Sequence, residues 1–421
     1  MKILMRINIR VALATAAVAL SIGGCKGYLD VSNPGPIEDA KLQTPDAAPA
    51  LVVGMSADYA NVYDEMVRIT AIASDELGHG GSYTQEGLWV RGIIKPEDVN
   101  GLWSTMHRAR FEAESGIERM KGFDGQSGFV YNKNIYATRA NLFAGLTNRL
   151  LGETVCSAVF DNGPVESDTA YFSRAEKYFT DAIALAQATN GATNEINAAY
   201  GGRASVLAWQ GKWDAAAADA AQVPAAFVYN AVFSTNSTRE NNSLVQETYV
   251  RREFSLFNTQ WAKVFRDPRV PWDTVKTANG AIQTGQDGRT AYFRQAKYTD
   301  LGSDIPVVKG TEMLLLRAEA ALRKNDIAGA YNFMNQARTV YRMTALSPAT
   351  DLATAWQTLQ FERGATVWLE ARRLWDLRRW FVETGPAKNT FLQGRDKAIP
   401  ISQEEYQVNP NLLGKTPAEC T

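Results

Sequence analysis

Two irregular stretches of the 421-residue chain set aromatic side chains beside hydrogen-bonding ones. Asp75 to Asn100 holds Tyr83, Gln85, Trp89 and Arg91, and residues 227–306 hold Trp261, Trp272, Asp273, Tyr292, Arg294 and Tyr298. A flat ring stacks on the polarised C–H face of a sugar, while Arg, Asp and Gln grip its hydroxyl rim, so such loops suit an oligosaccharide. The competing role for each ring is to hold its loop onto the body of the protein. Chemistry of a harder kind has few residues to work with. There are two histidines, His79 and His107, in separate segments, and no His/Cys/Asp/Glu group has metal-ligand spacing. Gly78-His79-Gly80-Gly81-Ser82 lacks the Gly-Lys-Ser/Thr ending of a phosphate loop and reads as a flexible turn. No nucleophile signature such as G-x-S-x-G occurs. Asp75-Glu76 could supply one member of a glycosidase pair, but a structural role is expected of it. The expectation is a binding protein with no catalytic residue, no metal and no cofactor.

The elements that must position these loops begin after an address label. Lys2, Arg6 and Arg10 precede an apolar run, Val11 to Ile22, and Ile22-Gly23-Gly24-Cys25 matches a lipobox. Residues 1–24 read as a lipoprotein signal peptide, Cys25 as the lipidated residue, and 25–45 as an extended tether rich in Pro, Gly, Asn and Asp. Lipid at Cys25 would anchor the protein to a membrane without a spanning helix, and Lys26 permits outer-membrane placement. With 44 basic and 45 acidic residues the chain shows no bias toward nucleic acid. Cys156 and Cys420 remain for one disulfide, and their sequence separation leaves open whether it forms.

Residues 46–421 read as one all-α domain. Thr44-Pro45-Asp46 starts a first helix, and Leu102 to Met120 forms a second. An internal repeat then decides the architecture: 200–223 aligns with 314–337, both placing Arg-Ala in a first helix (Arg203-Ala204, Arg317-Ala318). Both break at Gly211 or Asn325, and both put a small residue, Ala216 or Ala330, twelve positions after the first alanine. That is the tetratricopeptide pattern, in which small residues mark close helix crossings. Helical hairpins are expected at about 131–190, 194–224, 309–342 and 351–382, stacked into a superhelical slab. Irregular loops and short β-hairpins interrupt it, chiefly the insert 227–306. Within that insert Thr248-Tyr249-Val250 and Ala291-Tyr292-Phe293 read as short alternating runs, with turns at Asn279-Gly280 and Asp287-Gly288. Trp209, Trp213, Trp368 and Trp375 fall at helical spacing and are assigned to the core.

Phe361 to Trp380 reads as an amphipathic helix, with Phe361, Ala365, Trp368 and Trp375 on one stripe. Glu362, Arg363, Glu370, Arg373, Asp376 and Arg379 occupy the other face, where Arg372, Asp376 and Arg379 could pair along the helix surface. This stretch resembles the carboxy-terminal signature of the SusD/RagB family of surface nutrient-binding lipoproteins. It matches at Glu362, Arg363, Glu370, Arg373, Asp376, Leu377, Arg379 and Trp380, and departs at Gly364, Thr366 and Ala371, where the family usually has Arg, Glu and Gly. Tyr28-Leu29-Asp30-Val31, Ser74-Asp75-Glu76, Ala398-Ile399-Pro400-Ile401 and Asn409-Pro410-Asn411-Leu412 extend the likeness over nearly the whole mature chain. The resemblance implies a divergent, non-enzymatic member that captures an oligosaccharide or similar nutrient at the cell surface. Such proteins sit as a lid on a SusC-like TonB-dependent outer-membrane transporter, which is the implied partner. Family ligand residues come from loops at corresponding places, which singles out Tyr83, Trp89, Arg91, Trp272 and Tyr292. Two rival readings stand beside this one: a periplasmic tetratricopeptide scaffold lipoprotein in envelope assembly, and a helical glycoside hydrolase.

Overall fold

Small residues let the helices cross closely, and the crossings build the frame. Helices are numbered α1 (Ala48–Ala73), α2 (Thr84–Trp89), α3 (Asn100–Gly122), α4 (Ile135–Thr154), α5 (Thr169–Ala188), α6 (Thr193–Trp209) and α7 (Trp213–Ala220). After the insert come α8 (Gly310–Leu322), α9 (Ile327–Val340), α10 (Leu352–Thr366) and α11 (Arg373–Phe381). The structure, a computed structural model, describes residues 39–264, 266–418 and 420. The expected signal peptide 1–24, lipidated Cys25 and tether residues 26–38 lie outside the described residues. The chain divides into Met1–Ala47 and Ala48–Thr421. In the first unit Asp39–Leu42 and Pro45–Ala47 form 3-10 turns, the second closed by Ala47 N–H donating to Thr44 O at 3.0 Å.

Within the second unit α4/α5, α6/α7 and α8/α9 are tetratricopeptide-like hairpins, followed by α10 and α11, so the all-α reading of the sequence holds. The Phe179 ring of α5 fills the space over Gly145 of α4 and Gly202 of α6, and a Cβ at either glycine would collide with it. Ala204, Ala216, Ala318 and Ala330 are fully buried where the hairpin arms meet. Gly211 (φ 74°) and Asn325 (φ 58°) occupy the left-handed region at equivalent breaks, a conformation these two residue types reach at low cost. Asp326 and Asp351 cap α9 and α10, accepting from Gly329 N at 2.8 Å and Thr354 N at 2.9 Å.

The insert is tied at both ends. Val228–Ala231 pairs antiparallel with Ile305–Lys309, so the intervening chain leaves and returns at one place on the frame. Inside it Trp272–Thr274 pairs with Phe293–Gln295, and Gly280 and Gly288 take positive φ in the expected turns. Thr248-Tyr249-Val250 is not a strand: Gln246–Val250 is one π-helical turn after Ser243–Val245. Asn242 starts that helix by accepting from Val245 N at 3.1 Å, and this local bond overrides the alternating pattern. The glycine run is not a free turn either. Gly78–His79 pairs with Phe254–Ser255, Gly80 N donates to Glu253 O at 2.9 Å, and a Cβ on Gly81 would strike the Glu253 side chain. Cys156 and Cys420 form a disulfide, with Cα atoms 5.9 Å apart.

The signature stretch departs most from its sequence reading. It is two helices joined by a break in which Leu369 (φ 54°) and Ala371 (φ 55°) are left-handed, and its charged face is buried. Arg363 binds Asp376 through Nε at 2.7 and 2.6 Å and Glu312 at 3.1 Å. Arg372 reaches Glu312 at 3.0 Å and also Glu153, rather than Asp376. Arg379 takes Glu319 at 2.8 and 2.9 Å and keeps the expected Asp376 contact at 3.0 Å. Glu362 receives Arg269 at 2.6 Å, and Glu370 receives Lys297 at 2.6 Å and Lys309 at 2.7 Å. Charge at helical spacing reads as a solvated face, but here each ion meets partners on other elements and is withdrawn from water with them. Nearby arginines hold the Glu312 and Glu319 carboxyls down at about 2 against the cost of burial.

Candidate functional site

Three segments converge on a polar cavity of about 380 Å³. Helix α1 supplies Asn61, Asp64, Glu65 and Arg68, spaced so that they share one face of an otherwise largely apolar helix. The start of α2 supplies Tyr83, Gln85 and Glu86, and the insert supplies Thr238, Arg239, Asn241, Ser243 and Glu247. Arg68 Nη1 bonds Glu86 Oε1, which sets one wall. Asp64 Oδ2 accepts from Ser243 N at 2.6 Å, tying the insert to α1, and Gln85 Nε2 donates to Asp98 O at 2.8 Å. The Tyr83 ring is half-buried, with the Arg251 guanidinium 4.9 Å from its centre. Arg251 itself lies 3.3 Å from Glu247 and 3.2 Å from Glu253, so the ring is backed by an ion-paired group.

Burial pushes the Asp64 carboxyl up to about 7, with the Ser243 bonds pulling the other way. It also raises Glu65, Glu86 and Glu247, against the pull of Arg68 on each. Near neutrality Asp64 therefore divides between a form that donates and one that accepts. Four carboxyls face two guanidiniums in the lining, a balance that repels anions. The amides, hydroxyls and carboxyls suit a neutral ligand rich in hydroxyl groups, with one ring to stack against.

Of the residues named from the sequence, Tyr83 and Gln85 line this cavity. Trp89 and Tyr292 do not serve as platforms: they are 2% and 1% exposed. Trp89 packs into the main core, and Tyr292 is buried within the insert with its hydroxyl donating to Thr248 O. Large rings on an irregular segment anchor it, because their apolar area is worth more buried than wet. Trp261 is buried by the same logic, stacked on Phe361 with centroids 5.9 Å apart, and Tyr298 is buried in the same core with its hydroxyl donating to Leu369 O at 3.2 Å. Trp272 is half-buried, stacked on Phe293 at 5.2 Å and donating to Val264 O at 3.0 Å; Arg91 is exposed and donates to Gly87 O at 3.1 Å. Neither lines the cavity. Trp368 and Trp375 are core residues, whereas Trp209 and Trp213 remain partly exposed. Asp75 is bound by Arg373 at 2.8 and 2.7 Å, and Glu76 is fully buried with Oε1 accepting from Leu369 N at 2.7 Å, so this pair ties the frame together. Sequence reading missed the α1 contribution, although polar residues at 61, 64, 65 and 68 in an apolar helix were a visible signal.

Among the described residues no group of three or more His, Cys, Asp or Glu could hold a metal ion, and no helix is long and apolar enough to cross a membrane. Residues 274–411 match the model of the SusD family. No curated protein matches the chain by sequence. Several solved structures share its fold. Surface glycan-binding protein A from Bacteroides thetaiotaomicron is 14% identical, with 90% of this chain and 99% of that one covered at a TM-score of 0.68. A SusD superfamily protein from Bacteroides thetaiotaomicron VPI-5482 is 16% identical, with 88% and 97% covered and a TM-score of 0.67. A SusD-like carbohydrate binding protein from Bacteroides vulgatus ATCC 8482 is 15% identical, with 79% and 83% covered and a TM-score of 0.61. At these identities the likeness is one of fold.

Proposed function

We propose, from the chain's membership of the SusD/RagB family, that it is a non-catalytic lipoprotein that captures an oligosaccharide in the Tyr83 cavity. The observation that carries this reading is the cavity itself: a half-buried ring set among amides, hydroxyls and carboxyls drawn from three separate segments. Two similar structures bear glycan-binding and carbohydrate-binding names, which supports the same ligand class. Tyr83 supplies the stacking face, and Asn61, Gln85 and Asn241 take the hydroxyl rim. Asn61 rides on the long α1 helix and Asn241 on the tied insert, so the polar groups are held in place before the ligand arrives.

The remainder of the proposal concerns address and partner. Residues 1–24 are removed, Cys25 carries lipid, and the domain stands on the cell surface behind a tether running to residue 45. There it delivers its ligand to a SusC-like TonB-dependent transporter. Calorimetric titration against a glycan panel, with Tyr83→Ala and Asn61→Ala, tests the site. Loss of about two- to twelvefold in affinity is expected for Tyr83→Ala, since ring stacks are worth on the order of 0.5–1.5 kcal/mol. Unchanged affinity in both variants would remove the assignment. Protease treatment of intact cells tests the address, and full protection of the domain would exclude surface exposure.

A further inference from the structure

The polar cavity adjoins another at Asn61 and Arg239. Those two residues also line a second cavity of about 410 Å³, whose other walls include Val53, Ala57 and Ala60 of α1 and Val232 and Phe233 of the insert. Val53 and Val232 are 67% and 64% exposed. A single exposed valine is ordinary on a protein surface. Here two of them share a concave site with Phe233, and that site borders the candidate binding cavity through the shared Asn61 and Arg239. One compartment offers carboxyls, amides and a phenol ring; its neighbour adds the apolar side chains of Val53, Val232 and Phe233, with Ser56, Ser234 and Glu240 also in its lining.

Two adjoining compartments, one wholly polar apart from its ring and one with an apolar wall, match a ligand with the same division. We infer that the ligand is an amphiphile, a hydroxyl-rich head group carrying an acyl or aryl substituent. The inference rests on the reading of the Tyr83 cavity as the head-group site. The head lies among Tyr83, Gln85 and Glu247, and the substituent lies along Val53, Val232 and Phe233. A bare sugar would leave Val53, Val232 and Phe233 wet and gain nothing from these three side chains. Each methylene fully buried there multiplies affinity by about fourfold. An apolar molecule without the head would leave the carboxyl-lined compartment without hydroxyl partners, which removes the specificity of the polar end.

The experiment compares methyl and octyl glycosides of glucose, galactose and maltose by calorimetry on the full chain, with the octyl forms below their micelle concentration. The octyl member of a bound pair is expected to bind at least about tenfold more tightly than the methyl member. Val53→Ser combined with Val232→Ser is expected to bring the two within about twofold of each other, with the methyl glycoside unaffected. Both positions are exposed, so the double variant keeps its fold, and an unchanged melting temperature checks this. Equal affinity of methyl and octyl forms, both lost with Tyr83→Ala, would overturn the amphiphile and leave the head-group cavity standing. An octyl advantage that survives the double serine variant would also overturn it. An octyl advantage lost in the serine variant but untouched by Tyr83→Ala would remove the head-group cavity and the amphiphile with it. Failure of every glycoside to bind would overturn both.

Discussion

Replacing Glu76 by Gln isolates one buried carboxyl at the junction of the two halves of the frame. Glu76 is fully buried, and its Oε1 holds the amide of Leu369 in the left-handed break between α10 and α11. Burial pushes its carboxyl up from 4.5 to about 8. Below pH 4.5 the group is neutral in both folded and unfolded chains, and its contribution is fully present. As pH rises through 8 the unfolded chain has released a proton that the folded chain still holds, so that stability is lost. The slope is at most about 1.36 kcal/mol per pH unit, which over this window amounts to about 5 kcal/mol. Gln has no proton to release and keeps an oxygen for Leu369. Urea unfolding at pH 5 should therefore place Glu76→Gln within about 1 kcal/mol of the parent, and at pH 9 should find it more stable by about 3–5 kcal/mol. Asp64, pushed up to about 7, falls off in the same direction but is common to both proteins and cancels in the difference. Parallel stability curves between pH 5 and pH 9 would refute the claim that Glu76 is held neutral by burial.

Three further outcomes follow from the packing. Glu312→Ala takes one carboxylate partner from both Arg363 and Arg372 inside the core, leaving them Asp376 and Glu153, and should cost about 3–5 kcal/mol in urea unfolding. The gap between parent and Glu312→Ala should close only as pH falls below 4.5 toward 2, because the Glu312 carboxyl is depressed to about 2, while buried His107 is common to both proteins and cancels; a gap that begins to close above pH 5 would contradict this assignment. Ala371→Gly relieves a left-handed alanine worth about 1–2 kcal/mol and gives back about 0.5–1 kcal/mol in backbone entropy, so calorimetry should show a small rise in melting temperature. A fall there would mean that the alanine methyl contributes more by packing than it costs in strain. Trp89→Ala should cost about 3–5 kcal/mol of stability while leaving glycan affinity of the folded fraction unchanged. Weaker binding with intact folding would restore Trp89 to the site.

The helical frame was legible because its physics is local. Helix periodicity, the alanines at 204, 216, 318 and 330, and the breaks at Gly211 and Asn325 each act within a few residues, and each appears in the folded protein where the pattern put it. The same locality misled at Thr248–Val250, where a cap at Asn242 outweighed alternation, and at Trp89 and Tyr292, where ring chemistry could not say which way a ring faces. Tyr83 was recoverable from composition; Asn61, Asp64 and Arg68 were hidden because they sit on a framework helix rather than on a loop.

By itself the order of residues determined the hairpins, the turns and the charge pattern of the signature stretch, since those depend on spacing along one chain. Tertiary structure alone decided that this charge is buried. Arg363 meets Glu312 and Asp376, and Arg372 meets Glu153, only after helices distant in sequence have packed. It alone also decided that α1, α2 and the insert close around one cavity. Such contacts follow from the relative placement of whole elements, which is set by how their apolar surfaces fit together, and no spacing within a single segment encodes that fit.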